Sequence, residues 1–293
     1  VEDATKIFEG LRRRLQGIAY RMLGSVAEAE DVVQDVWLRW HDADQLGIAN
    51  PEAWLVTTTT RASIDHLRSA KARRESYVGF WLPEPQIDEA QHPSPEQELE
   101  RAGDLSVAFL TVLERLSPEA RAAFLMREVF DADYSDIAST LGKSEASSRQ
   151  LVSRSKALLR DGGAPRRKVP AAAQYTVMRQ FSDAMQSGDF AALQFLLADD
   201  AQLVGDGGGK VTSFPKPLLG ARRIAQLFFA AHRRYQDAQR VELALVNGQW
   251  GVLRFIHGEL ESVLAYETDG ERILQIHAQR NPDKLARIAA AFL

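Results

Sequence analysis

Side chains able to bind charge are concentrated in a few stretches of this 293-residue chain, and each stretch suits a different chemistry. Glu28, Asp31 and Asp35 fall at i, i+3 and i+7 of a helical segment, with Gln34 and Trp37 beside them. That stripe is either a solvated acidic face or a dock for a basic partner. Arg61, Asp65, Arg68 and Lys71 lie on or near one face of a later helix, followed by Arg73 and Arg74. Cations at a helix C-terminus suit the macrodipole, and they can equally neutralise phosphates while short polar neighbours read exposed bases. Ser144, Ser147, Ser148, Arg149, Ser153 and Arg154 give a third helix a polar, cationic side.

Asp206-Gly207-Gly208-Gly209-Lys210 could cradle a phosphate, but it lacks the spacing of a P-loop and no Ser or Thr follows the Lys. Three glycines fit positive φ and close approach by another segment better. His232, His257 and His277 are the candidate bases, with His257 and His277 expected at strand ends as partly exposed structural groups. No metal-ligand spacing links them. A base also needs a pocket and an oxyanion partner, so no catalytic residue, metal or cofactor is assigned.

The elements that must position these groups begin with helices. Ile7, Leu11, Leu15, Ile18 and Met22 keep a helical period, Ala27–Trp40 resumes it, and Asn50-Pro51 opens another helix. Thr57–Thr60 is a β-branched run that packing must hold helical. From about residue 75 to 103, prolines among acidic residues read as a linker, yet Trp81-Leu82-Pro83-Glu84-Pro85 is too apolar for a free tether. Residues 104–160 are helical again. There Ile137, Ala138 and Leu141 share a face, Gly142 turns, Ser144 caps, and Ala146 is small enough for a close crossing. This is a helix-turn-helix pattern, which ordinary helical hairpins also satisfy. Helices over 175–187, 190–198 and 221–235 then precede strands over 241–246, 250–256, 263–268 and 273–278. Asn247-Gly248 and Asp269-Gly270 are hairpin turns. The last part is thus an α+β unit with a curved antiparallel sheet.

Composition is that of a globular chain, with 45% hydrophobic and 26% charged residues. Absence of cysteine excludes disulfides, thiolate metal sites and a cysteine nucleophile. No apolar run approaches membrane-spanning length, and the acidic start is unlike a secretory signal, so the expected place is the cytoplasm, with no membrane partner. The net charge of −4 masks local basic clusters and predicts low affinity for free DNA.

"AEDVVQDVWLRW" followed by "WLVTTTTRASIDHLRSAKARR", an acidic linker and a helix-turn-helix resemble an extracytoplasmic-function sigma factor of bacterial RNA polymerase. Trp81–Pro85, Asp206–Lys210 and Asn281-Pro282-Asp283-Lys284-Leu285 resemble the signature motifs of the subgroup with a fused SnoaL-like domain. The resemblance implies a multi-domain chain: 1–75 binding core polymerase and the −10 element, 76–103 a linker, 104–162 reading the −35 element, and 163–293 a SnoaL-like α+β cone acting as regulator. It further implies that Glu28–Trp37 meets the β′ clamp helices and Arg61–Arg74 captures the −10 strand. Ser144–Arg154 then reads the −35 duplex. A ligand of the C-terminal domain stays open. The rivals are a helix-turn-helix repressor with a ligand-binding domain and a SnoaL-like enzyme with a DNA-binding tether. The Trp81, Asp206 and Asn281 motifs are expected to meet one another.

Overall fold

Local capping explains where the first helices begin. In the computed structural model, which describes residues 2–75, 77–87, 106–161 and 169–292, α1 spans Glu2–Leu23, α2 Val26–Asp42 and α3 Pro51–Glu75. Ser25 Oγ accepts from Glu28 N at 3.3 Å to cap α2, and Asn50 Oδ1 accepts from Ala53 N at 3.0 Å at the head of α3. α2 buries Ala29, Val32, Val33, Val36 and Trp40, and Trp40 Nε1 donates to Ala4 O at 3.0 Å. The Thr run of α3 stays helical with help from its own hydroxyls. Thr58 and Thr60 donate to the carbonyls four residues back at 2.8 Å, and Thr59 and Thr60 are buried.

The next helices are α4 (Val107–Leu113), α5 (Pro118–Glu128), α6 (Tyr134–Leu141) and α7 (Glu145–Asp161). Gly142 takes the left-handed conformation, φ 62°, and lets Lys143 N reach Ala138 O at 2.9 Å. Ala123, Met126, Ile137 and Val152 form the small core between α5, α6 and α7. Ala146, expected at a close helix crossing, is exposed; Ser148 and Val152 occupy the buried side of α7 instead.

The C-terminal part has α8 (Ala171–Ser187), α9 (Phe190–Leu196) and α10 (Ala221–Tyr235), then α11 (Pro282–Ala290) after the sheet. Its strands are β1 (Leu197–Asp206), β2 (Leu218–Leu219), β3 (Gln239–Val246), β4 (Gln249–Ile256), β5 (Glu259–Thr268) and β6 (Ile273–Gln279), in the order β2-β1-β6-β5-β4-β3. The expectation of an antiparallel sheet needs correction, because β1 runs parallel to β6. β1 has few β-branched residues and no clean alternation; its burial on both faces over the last four residues holds it in the sheet. One apolar cluster joins α8, α9 and α10 to the sheet, and a second, on residues such as Leu253, Phe255 and Val263, packs Leu285 and Ile288 of α11.

The described residues separate into two compact units: 2–75 and 112–161 in one, and 77–87, 106–111 and 169–292 in the other. Residues 77–87, expected as linker, therefore cluster with the C-terminal unit, and so do residues 106–111 at the start of α4, while the rest of both helical segments expected as separate domains shares the first.

Candidate nucleic-acid and polymerase interface, and the linker clamp

Within the helical unit, the acidic stripe on α2 is only partly at the surface. Asp31, Gln34 and Asp35 are exposed. Glu28 turns toward α3, its carboxylate 3.3 Å from His66 Nε2, and Trp37 packs on Phe8 with ring centroids 4.8 Å apart. The free face is thus two carboxylates and an amide held on a rigid, well-buried helix.

Cations of α3 engage other helices of the same unit. Arg61 donates to Thr140 O and Ser139 O, both at 2.8 Å, closing orphan carbonyls at the end of α6. Arg68 bonds Asp65 at 3.2 Å and Glu119 at 2.7 Å. Lys143 also reaches Glu119, at 2.9 Å, and these cations hold its carboxyl below the usual range, Lys143 foremost. The side chains of Lys71, Arg73 and Arg74 lie outside the described residues. Sequence reading missed Arg121. It is 2% exposed and donates to Met22 O at 2.6 Å and Glu114 at 2.8 Å, tying α5 to the end of α1. An Arg so close to a helix start gave no sign of that role.

On α7, Ser144 Oγ caps by accepting from Ser147 N at 3.2 Å. Ser148 is buried and donates to Ser144 O at 3.1 Å, which removes it from the set of groups able to face DNA. Ser147, Arg149, Ser153 and Arg154 are exposed. Arg149 pairs with Glu145 at 2.9 Å and lies 4.2 Å from the Tyr134 ring centroid, so a DNA contact would exchange those partners.

In the C-terminal unit, the three apolar or Gly-rich motifs converge on one buried carboxylate. Asp206 ends β1 with no exposed surface. Its Oδ1 accepts from Tyr77 OH at 2.6 Å and Gly208 N at 3.0 Å. Its Oδ2 accepts from Leu82 N at 2.9 Å, Lys284 Nζ at 2.7 Å and Gln279 Nε2 at 3.3 Å. Lys284 Nζ also donates to Leu82 O at 2.6 Å and lies 4.2 Å from the Trp81 ring centroid. Leu82, Pro83, Glu84 and Pro85 are buried. Burial and the Asp206 carboxylate together push the Tyr77 phenol well above its usual pKa, so it stays a donor. Asn281 caps α11 through Asp283 N at 3.1 Å and gives its amide to Tyr77 OH at 2.9 Å, with Pro282 at the first helical position. Lys210 pairs with Asp283 at 2.6 Å, and Leu285 drops into the apolar core.

The glycines are sterically required. A Cβ on Gly207 would stand 2.2 Å from Val211 O, and one on Gly208, at φ 62°, 2.3 Å from Asn281 Nδ2. Beyond Pro85 the segment joins the sheet edge, with Ile87 bridging Val246 and Gln86 O accepting from Asn247 N at 2.8 Å. Tyr77 and Gln279 were not singled out in the sequence; an aromatic next to an apolar tether was the available signal for the first, and there was none for the second.

The candidate bases are scattered over the C-terminal unit. His277 was expected near a strand end and partly exposed. It sits inside β6, 3% exposed, and burial lowers its pKa to about 4. His257 occupies the β4–β5 turn, and His232 packs beneath Gly188. Among the described residues there is no cluster of three metal-ligating side chains, and no helix long and apolar enough to cross a membrane.

Two family descriptions match this chain: Sigma-70 region 2 over residues 7–73 and Sigma-70, region 4 over residues 106–159. The ECF RNA polymerase sigma factor SigJ of Mycobacterium tuberculosis is 38% identical over 246 residues, 83% of this chain and 78% of that protein. The probable ECF RNA polymerase sigma factor SigI of the same species is 29% identical over 282 residues, 95% of this chain and 93% of that one. The crystal structure of the M. tuberculosis SigJ covers 96% of this chain and 98% of its own, at 33% identity and a TM-score of 0.77.

Proposed function

This chain belongs to the extracytoplasmic-function RNA polymerase sigma factors, and from that premise we propose that it joins core RNA polymerase in the cytoplasm and directs initiation at its own promoters. A sigma factor is a transcription regulator and no enzyme; the polymerase supplies the chemistry. The observation that carries the docking surface is the exposure of Asp31, Gln34 and Asp35 on a helix whose opposite face is buried. Two solvated carboxylates on a rigid helix cost nothing to present and steer a basic partner, here the β′ clamp helices.

Asp65, Arg68, Lys71, Arg73 and Arg74 then serve the −10 element and Ser147, Arg149, Ser153 and Arg154 the −35 duplex. Phosphates would replace Glu119 as the partner of Arg68, and Glu145 as the partner of Arg149. The Asp206 cluster is the regulatory contact, because it anchors residues 77–87 to the C-terminal unit and so restricts the tether between the two DNA-reading segments.

Run-off transcription with purified core polymerase on a pool of genomic promoter fragments tests this reading. The full chain should yield discrete transcripts absent with core alone. Transcripts identical to those of core alone would overturn it. Lys210→Ala and Trp81→Ala should shift transcript yield in one direction and non-additively, since both act on the same contact; independent, additive effects would assign them different partners.

A further inference from the structure

We infer that the C-terminal unit binds a small carboxylate with an apolar body, in a cavity between α10 and the sheet. The site stands apart from the transcriptional reading and needs none of its residues. The cavity holds about 340 Å³, within the range of small-molecule pockets.

Strand register builds its floor. Gly205 on β1 pairs with Ala278 on β6, and Ala278 pairs with Leu264 on β5, so two small residues and a leucine lie side by side. Leu227, Phe228 and Tyr235 of α10 cover that floor. Two residues further along each strand the character changes. Ser262 pairs with Arg254 across β5 and β4, and Arg280 follows the end of β6. All three line the cavity, so its polar groups gather at one end of an apolar slot.

Charge at that end is unbalanced. Glu261 accepts from Arg254 Nη1 at 2.8 Å and from Arg280 Nε at 2.7 Å, one carboxylate answering two guanidinium groups. Arg234 adds a third cation to the lining. Arg254 is 9% exposed, and burial lowers its pKa, Glu261 opposing the shift. Ser262 is 1% exposed and its Oγ has no hydrogen-bond partner in the protein. A buried hydroxyl without a partner is unfavourable, and so are three cations, the buried Arg254 among them, gathered at one carboxylate; a ligand carboxylate answers both at once. Arg254 Nε also donates to Gln239 at 3.1 Å and Arg280 Nη1 to Thr212 O, so the guanidinium groups already have partners. A neutral apolar molecule would leave the Ser262 hydroxyl unmet and the surplus positive charge unanswered. An inorganic anion would leave the apolar slot unfilled. None of His232, His257 and His277 lines the cavity, and its one carboxylate, Glu261, is held by two guanidinium groups, an arrangement that suits binding without turnover.

Calorimetric titration of the full-length protein with octanoate and octanol, and with naphthoate and naphthalenemethanol, decides the matter. At least one carboxylate should bind one-to-one, at least ~10-fold more tightly than its alcohol, the margin expected for hydrogen bonds to a charged group. Ala231→Trp, which plugs the slot, should abolish binding, and Arg280→Gln should bring the carboxylate down to the alcohol. Without any variant, the carboxylate should raise Tm more than the alcohol does at equal concentration. The inference is overturned if neither carboxylate binds, if alcohol and acid bind alike, or if Ala231→Trp folds and binds as before.

Discussion

In the helical unit most charged groups, the buried Arg121 aside, stand at the surface: Arg68 and Lys143 share Glu119, Arg149 leans on Glu145, and Asp31 and Asp35 face solvent. In the C-terminal unit the central carboxylate is fully buried, and Tyr77, Leu82, Gly208, Gln279 and Lys284 all donate to it. A surface that must exchange water for a nucleic acid or another protein keeps its charges solvated, where each ion pair contributes only ~0–1 kcal/mol. A contact made once, within the chain, can desolvate its charge, provided every lone pair is answered. The same residue types are therefore mostly left solvated in one region and bind the chain to itself in the other.

The sharpest way to break that contrast is Asp206→Ala. It removes a buried acceptor from its donors and should cost the C-terminal unit ~3–5 kcal/mol in urea unfolding. A loss under ~1 kcal/mol would make the cluster energetically no different from the surface pairs.

The second test uses pH. The pKa of His277 is depressed to about 4 in the folded chain, so the unfolded chain binds the extra proton first as pH falls. Its contribution is complete above ~6.5 and is lost as pH drops toward 4. Between pH 7 and 4.5 the wild type should lose ~2 kcal/mol more stability than His277→Gln. Parallel pH curves for the two proteins would contradict the burial of this imidazole.

Gly208→Ala comes next, combining positive φ with a clash against Asn281, and should cost more than ~1 kcal/mol in the same assay. A neutral result would mean the loop relaxes and the glycine is not required there.

How much of this was legible in the residues differs between the regions for physical reasons. Helical period and capping residues are local, so Asn50, Gly142 and Ser144 could be placed from sequence. Trp81-Leu82 in a polar tether announced a docking contact because exposed apolar surface is unfavourable. Its partners, the Asp206–Lys210 loop and the Asn281–Leu285 segment, were expected, but the strand pairing that brings them together was not readable: β1 has few strand-forming residues, and its parallel pairing to β6 joins segments about seventy residues apart. Arg61 illustrates the converse. Its type and spacing suggested phosphate binding, and only long-range packing shows it closing the end of α6. Ser148 looked like its serine neighbours until the helix crossing buried it.

The smallest effect on stability should come from reversing the exposed stripe, Asp31→Arg with Asp35→Arg. Both side chains are solvent-exposed, so the double variant should unfold within ~0.5 kcal/mol of wild type. Its effect should appear in assembly alone, which makes it the most direct test of the central claim. Size-exclusion chromatography with purified core RNA polymerase measures it without knowledge of any promoter. The wild type should co-elute with the polymerase, and the double variant should elute alone while keeping its helical circular dichroism. Failure of the wild type to co-elute, or equal co-elution of the folded variant, would contradict the account.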